Sequence, residues 1–303
     1  MRRALLALAL CGAAMAASTA SAGSTAARYC DRATPLTASE QDRLLQVAAI
    51  VRRELDAAAG AAVLIARSGL DLSRIGQRYS HAAIGLRDHP HGRWSVRQLY
   101  YACDEGRPRL FDQGLGGFLS GTENPAIGYL SIVVLPEAEA AALARAALDK
   151  PTALALLGGS YSANAHPFRR EHQNCNQWVI ELLAAAWGGV DGTADARAQA
   201  QRWLAAQGYA PAPVRLDSHL LMFAAGFMPW IRFDDHPRED VHALRFHLSL
   251  PASIEAFVQT RLPASRRIEV CHDDRQVVIR RGGTAIDDGC AAVAGDRIVT
   301  LQP

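Results

Sequence analysis

Two side chains have types and settings suited to covalent chemistry: Cys175, within His172-Gln173-Asn174-Cys175-Asn176-Gln177-Trp178, and His81, directly after Tyr79-Ser80. Cys175 stands at the start of an apolar segment that reads as a buried helix. A thiol there feels the positive end of the macrodipole and unpaired backbone N–H groups, which lower its pKa from about 8.5 toward neutrality and favour the nucleophilic thiolate. Taken alone, a cysteine at a helix start is more often a half-cystine or an inert buried thiol. His81 opens a predicted strand. An imidazole titrates near working pH, so it can take a proton from a thiol and return it to a leaving group. A lone histidine at a strand start is usually structural, and the chemistry rests on the combination.

The N-terminus bears on whether that thiol is kept free. Met1-Arg2-Arg3, the apolar run 4–16 and Ala20-Ser21-Ala22 before Gly23 have the basic, apolar and small-x-small parts of a Sec-type signal peptide over residues 1–22, with cleavage near Ala22. A periplasmic or secreted mature protein is expected. The apolar run is short for a membrane span, and no later stretch reaches about eighteen apolar residues, so no transmembrane helix is expected in the mature chain. Leu10 before Cys11 fits a lipoprotein signal poorly, and beyond Arg2-Arg3 little supports twin-arginine export.

Export leaves Cys30, Cys103, Cys175, Cys271 and Cys290, and an oxidising compartment pairs what it can. Cys271 and Cys290 flank an apparent hairpin with Ile268-Glu269-Val270, then Val277-Val278-Ile279, and Gly282-Gly283 as the turn, so a local bridge is easy. Cys30 with Cys103 is then the second pair and Cys175 is left over. The alternative is that Cys30 is unpaired and Cys175 joins Cys103.

The chain has 303 residues, a formal charge of +2, 50% hydrophobic and 20% charged residues, an ordinary globular composition with room for a sizeable core. There is no basic stripe interleaved with aromatics, so nucleic acid is not an expected partner. The ten histidines show no His-Glu-x-x-His pattern and the cysteines no Cys-x-x-Cys pair, so neither a metal nor a cofactor is expected. Gly114-Leu115-Gly116-Gly117 follows no evident strand and does not read as a phosphate loop. No Gly-x-Ser-x-Gly elbow supports a serine hydrolase.

The elements that must position the two residues follow from caps and periodicity. Thr37-Ala38-Ser39-Glu40 is a capping box opening a helix to about Ala59. An extended run covers 61–66, and 71–79 reads as a short helix or structured loop. Residues 81–87 and 94–101 form a hairpin around Asp88-His89-Pro90-His91-Gly92. A strand covers 129–135, and Pro136 opens a helix to Asp149. The helix at Cys175 runs to Trp187 and stops at Gly188-Gly189. Another helix covers 193–207, Pro211-Ala212-Pro213 is the internal boundary, and a strand at 241–248, a helix begun by Pro251 and the terminal hairpin complete the chain.

Val63-Leu64-Ile65-Ala66-Arg67-Ser68-Gly69, Arg78-Tyr79-Ser80-His81-Ala82-Ala83-Ile84, Tyr161 and Asn174-Cys175-Asn176-Gln177-Trp178-Val179 resemble the circularly permuted branch of the NlpC-type papain-like superfamily. That branch includes lecithin retinol acyltransferase. Its histidine precedes its cysteine, the order seen here. More narrowly, most of the mature chain resembles the DUF2145 family of exported bacterial proteins. The resemblance implies an α+β fold with a permuted papain-like core: an antiparallel sheet bearing His81, packed on the helix begun by Cys175. It implies Cys175 as nucleophile and His81 as base. Relatives often carry a histidine as orienting residue on the next strand; here Gln98 is the candidate, with His91 and Asp104 as alternatives. An uncharged glutamine stabilises an imidazolium less than a carboxylate does. The oxyanion would be met by the backbone N–H of Cys175 and a second donor, for which Tyr161 and Gln173 are candidates.

The expected organisation is a signal peptide over 1–22, a papain-like catalytic core over 23–210 and a C-terminal elaboration over 211–303. The expected activity is hydrolysis or acyl transfer through a thioester on Cys175. A peptide or peptidoglycan amide of the cell envelope and a lipid ester are the expected substrates. The competing expectation is a non-catalytic cell-envelope binding or assembly module with Phe223, Phe227, Trp230 and Phe233 as its contact surface, although helical spacing makes such aromatics more often core.

Overall fold

The computed structural model describes residues 35–58, 60–190, 192, 195–211 and 213–302. The signal peptide expected over 1–22 and the Cys30 end of the expected Cys30–Cys103 bridge lie outside the described residues. The strands are β1 (Ala62–Arg67), β2 (His81–Leu86), β3 (Ser95–Ala102), β4 (Arg107–Gln113), β5 (Gly128–Val134), β6 (Val214–Arg215), β7 (Arg245–Phe246), β8 (Arg266–His272), β9 (Gln276–Arg281) and β10 (Arg297–Thr300). The helices are α1 (Ala38–Ala58), α2 (Leu115–Leu119), α3 (Glu137–Leu148), α4 (Lys150–Ala155), α5 (Cys175–Gly188), α6 (Ala196–Ala206), α7 (His219–Ala225), α8 (Arg238–His242) and α9 (Pro251–Arg261). Helices and an antiparallel sheet together make the fold α+β.

Eight strands form one sheet in the order β10-β9-β8-β5-β1-β2-β3-β4, every pairing antiparallel. β1 is central and buried on both faces, which is why Ala62-Val63-Leu64-Ile65-Ala66 is a continuous apolar run. On one face Leu64, Ile84 and Leu99 pack with Trp178, Ile180 and Leu183 of α5. On the other, Val63, Ile65, Ala83 and Val96 pack with Leu44, Val51 and Leu55 of α1 and Phe118 of α2. The sheet is therefore the middle of three layers, and it crosses residue 211, since β8 pairs with β5 from Gly128↔His272 to Val134↔Arg266.

The capping box forms: Glu40 Oε2 accepts from Thr37 N at 2.7 Å, and Thr37 Oγ1 accepts from Glu40 N at 3.3 Å. Cys271 and Cys290 are bridged, with Cα atoms 5.4 Å apart. The hairpin beside them turns at residues 273–275, where Asp273 Oδ1 accepts from Arg275 N and Gln276 N, and not at Gly282-Gly283. The strand expected over 241–248 is α8 followed by the two-residue β7, because Pro237, Glu239 and Asp240 favour a helix start. β4 is an additional strand. Pro108 disguises it in the sequence and is tolerated because β4 lies at the sheet edge.

Candidate active site

Asn174 places Cys175 as the first residue of α5. Its backbone is extended, and its side chain caps the helix by accepting from Gln177 N at 2.7 Å. The helix ends at Gly189, whose φ of 67° suits a residue without a Cβ. Asn176 ties this N-terminus to the start of β2: its Oδ1 accepts from Ala82 N at 2.8 Å and its Nδ2 donates to Ser80 O at 3.2 Å. Farther along, buried Glu181 pairs with Arg197 at 2.9 Å and accepts from Gln173 and Gln201 at 2.7 Å, fixing α5 against α6 and the preceding loop.

Cys175 is a free thiol, so the alternative bridge to Cys103, which is itself disulfide-bonded, is not made. Its sulfur does not show the lowered pKa expected from the helix terminus. Burial pushes the thiol up to about 12, against the opposing pull of the Asn176 N–H, the Arg67 charge, its own N–H and the Tyr161 side chain. Removing a thiolate from water outweighs the few partial charges that a helix end supplies.

His81, opposite Arg67 in the β1–β2 register, is in phase with Ala83 rather than with Ala82 and Ile84. Its ring stacks on Tyr100 at 4.9 Å and lies 6.1 Å from Phe118, on the layer opposite α5. Its Nε2 donates to Gln98 Oε1 at 2.8 Å, and Gln98 Nε2 in turn donates to Gln113 Oε1 at 2.6 Å. That chain orients the amide oxygen toward the imidazole and leaves Nδ1 as the nitrogen not engaged by Gln98. Burial, then the Arg67 charge, lower the imidazole to about 3 against the Gln98 hydrogen bond, and the Cys175 thiol is not among these influences. Thiol and imidazole are thus both neutral at rest.

Although they belong to different layers, Cys175 and His81 line the same cavity of ≈ 350 Å³. Each is the first residue of its element, and the two elements start at the same end of the sheet. Arg67, Tyr161 and Asn176 share the lining. Much of the rest is apolar, and Val214, Leu216, Phe233, Phe246, Leu248 and Leu250 of the segment after Pro213 supply one wall.

Of the candidate orienting residues, Gln98 contacts His81. His91 is exposed in the loop at the far end of β2, and Asp104 is exposed in the β3–β4 turn. Tyr161 reaches Cys175, whereas Gln173 is locked in the core by Leu156 O and Glu181 and does not line the cavity. The aromatic set divides: Phe223 and Phe227 are exposed, Trp230 is buried and Phe233 faces the cavity. Arg67 and Asn176 gained no role from the sequence, although a single charge ending the apolar run of β1 marks the former. Among the described residues no cluster of three or more His, Cys, Asp or Glu could hold a metal, and no helix is long and apolar enough to cross a membrane.

Residues 54–258 match the model of a family described as an uncharacterized protein conserved in bacteria, DUF2145. No curated protein and no solved structure matches the chain.

Proposed function

We infer that this chain, which belongs to the DUF2145 family, is an exported cysteine enzyme of permuted papain-like type that hydrolyses or transfers an acyl group through a thioester. The observation that carries the reading is the free thiol of Cys175 at a helix N-terminus, sharing one cavity with a His81 whose Nε2 is held by Gln98. Because both partners are neutral at rest, proton transfer accompanies attack and does not precede it. Sγ bonds to the substrate carbonyl carbon while its proton passes to His81 Nδ1. The tetrahedral oxyanion is met by the backbone N–H of Cys175 and the Tyr161 hydroxyl. Its collapse breaks the bond to the leaving group, which receives the proton from His81. Water or another acceptor, deprotonated by His81, then attacks the thioester and frees the thiol.

The substrate is an amide of a cell-envelope peptide or peptidoglycan, or a lipid ester. Incubating the mature protein with purified cell-wall fragments and with phospholipid tests this, by intact mass and peptide mapping of Cys175. An acyl adduct that disappears in Cys175→Ala and is strongly reduced in His81→Ala is expected. No adduct, together with slow iodoacetamide labelling indifferent to His81, would instead support a binding or assembly module. That second reading is favoured by the exposed Leu220, Phe223 and Phe227, at 77%, 65% and 75%.

A further inference from the structure

The cavity contains a cation that acyl transfer leaves unassigned. Arg67, 4% exposed, ends β1 in register with His81 and lines the cavity with Cys175. Its Nη2 donates to the Tyr100 hydroxyl at 2.7 Å, its Nη1 donates to Gly121 O, and its Nε is buried without a partner. The guanidinium carbon stands 5.2 Å from the Phe118 ring. These hydrogen-bond partners are neutral oxygens, and among the described residues no carboxylate forms an ion pair with the guanidinium. Glu123, the carboxylate of the lining, accepts from Asp71 N at 3.0 Å.

A guanidinium taken out of water is costly unless an opposite charge faces it. The surroundings are shaped to hold it there nonetheless. A Cβ at Gly121 would collide with the guanidinium and meet the Tyr100 hydroxyl at 2.9 Å, and one at Gly69 would meet Ser80 Oγ at 2.9 Å. The partnerless, buried Nε–H leaves the guanidinium charge less compensated still, and the planar fork of an arginine suits carboxylate and phosphate oxygens. Meanwhile the wall from Val214 to Leu250 is apolar and suits a hydrocarbon portion.

We propose that Arg67 is an anion subsite: the substrate carries a carboxylate or phosphate group that docks on its guanidinium beside Cys175, with an apolar portion along the opposite wall. The proposal rests on this cavity being the acyl-transfer site and names the class of substrate it takes, an amphiphile whose anionic group lies near the carbonyl attacked.

Two measurements test it, one through the thiol and one without it. In the wild-type mature chain at neutral pH, the ratio of iodoacetate to iodoacetamide alkylation rates at Cys175 should exceed that of a free cysteine peptide by at least about tenfold, since a charge pair a few ångströms apart at an effective dielectric of about 20 supplies that much. In Cys175→Ala, octanoate or octyl phosphate should bind at least about tenfold more tightly than octanamide, and Arg67→Gln in that background should abolish the preference while Arg67→Lys retains part of it. The tighter of the two anions identifies the carboxylate or phosphate source. An alkylation ratio at or below the peptide value, or anions bound no better than octanamide, overturns the subsite. Absence of alkylation by both reagents, with the binding preference intact, would instead sink the thioester reading and leave the anion site standing.

Discussion

Gln98→Leu tests how the imidazole is held. The substitution keeps most of the volume of a fully buried side chain but removes the acceptor 2.8 Å from His81 Nε2 and the donor 2.6 Å from Gln113 Oε1. The His81 N–H then loses its partner in a buried site, which costs about 1–3 kcal/mol, and the Gln113 bond adds about 0.5–1.5 kcal/mol because that side chain is partly exposed and can turn to water. Leucine returns some of this through apolar burial, so a net loss of about 2 kcal/mol in urea unfolding is expected. The freed ring can exchange tautomer and tilt, which should lower Cys175 alkylation and turnover about 10–100-fold. Gln98→Glu works in the opposite sense. A carboxylate about 4 Å from the ring at an effective dielectric of about 20 contributes about 4 kcal/mol toward the imidazolium, part of it offset by burying the carboxylate. The imidazole should rise above its value of about 3, and the acid limb of the alkylation profile should move up with it. The assay is the rate of iodoacetamide labelling of Cys175 between pH 4 and pH 9, with unfolding measured in parallel. Two folded variants with the wild-type rate and the wild-type profile would show that Gln98 only packs.

Asn176→Leu should cost about 2–4 kcal/mol by breaking the links to Ala82 N and Ser80 O, and should slow labelling of Cys175 about 100-fold by letting the helix start shift. Asn176→Asp, which still accepts from Ala82 N, should do less harm; equal labelling in all three proteins would remove Asn176 from the positioning of the thiol. Arg197→Met leaves Glu181 buried without its charge partner and should cost about 3–5 kcal/mol, whereas adding Glu181→Gln should recover part of it; a double mutant as weak as the sum of the singles would refute the coupling. Stability should fall as pH drops from about 6.5 toward 4, because burial holds His81 at about 3 and His272 at about 4, leaving both neutral in the fold while they protonate on unfolding. Each adds a slope of about 1.4 kcal/mol per pH unit in that window. His272→Gln should remove its share of the slope, and a flat urea midpoint over the window would contradict the burial of these rings.

Elements whose causes lie within a few residues were legible before any fold was known. The Thr37–Glu40 box, the helix start at Cys175, the stop near Gly189 and the Cys271–Cys290 bridge are local arrangements, and the structure contains each of them. The resemblance to DUF2145 was legible for the same reason, since it was read from short runs of neighbours such as 78–84 and 174–179, and residues 54–258 match that family. β4 and α8 were not, because the chain around Pro108 and Pro237 could serve several states until an edge position or a helix start selected one.

The sequence alone determined which side chains could do chemistry and where their elements begin. Tertiary structure decided what surrounds them. It joined β8 to β5 across residue 211, brought the segment from Val214 to Leu250 against the cavity, and faced Arg67 to the same space as Cys175. It also reversed the electrostatics expected of the thiol, because a helix terminus acts over one turn whereas desolvation sums over every layer that excludes water. Caps and periodicity are properties of neighbours in the chain, while burial and charge environment belong to residues brought together from more than a hundred positions apart.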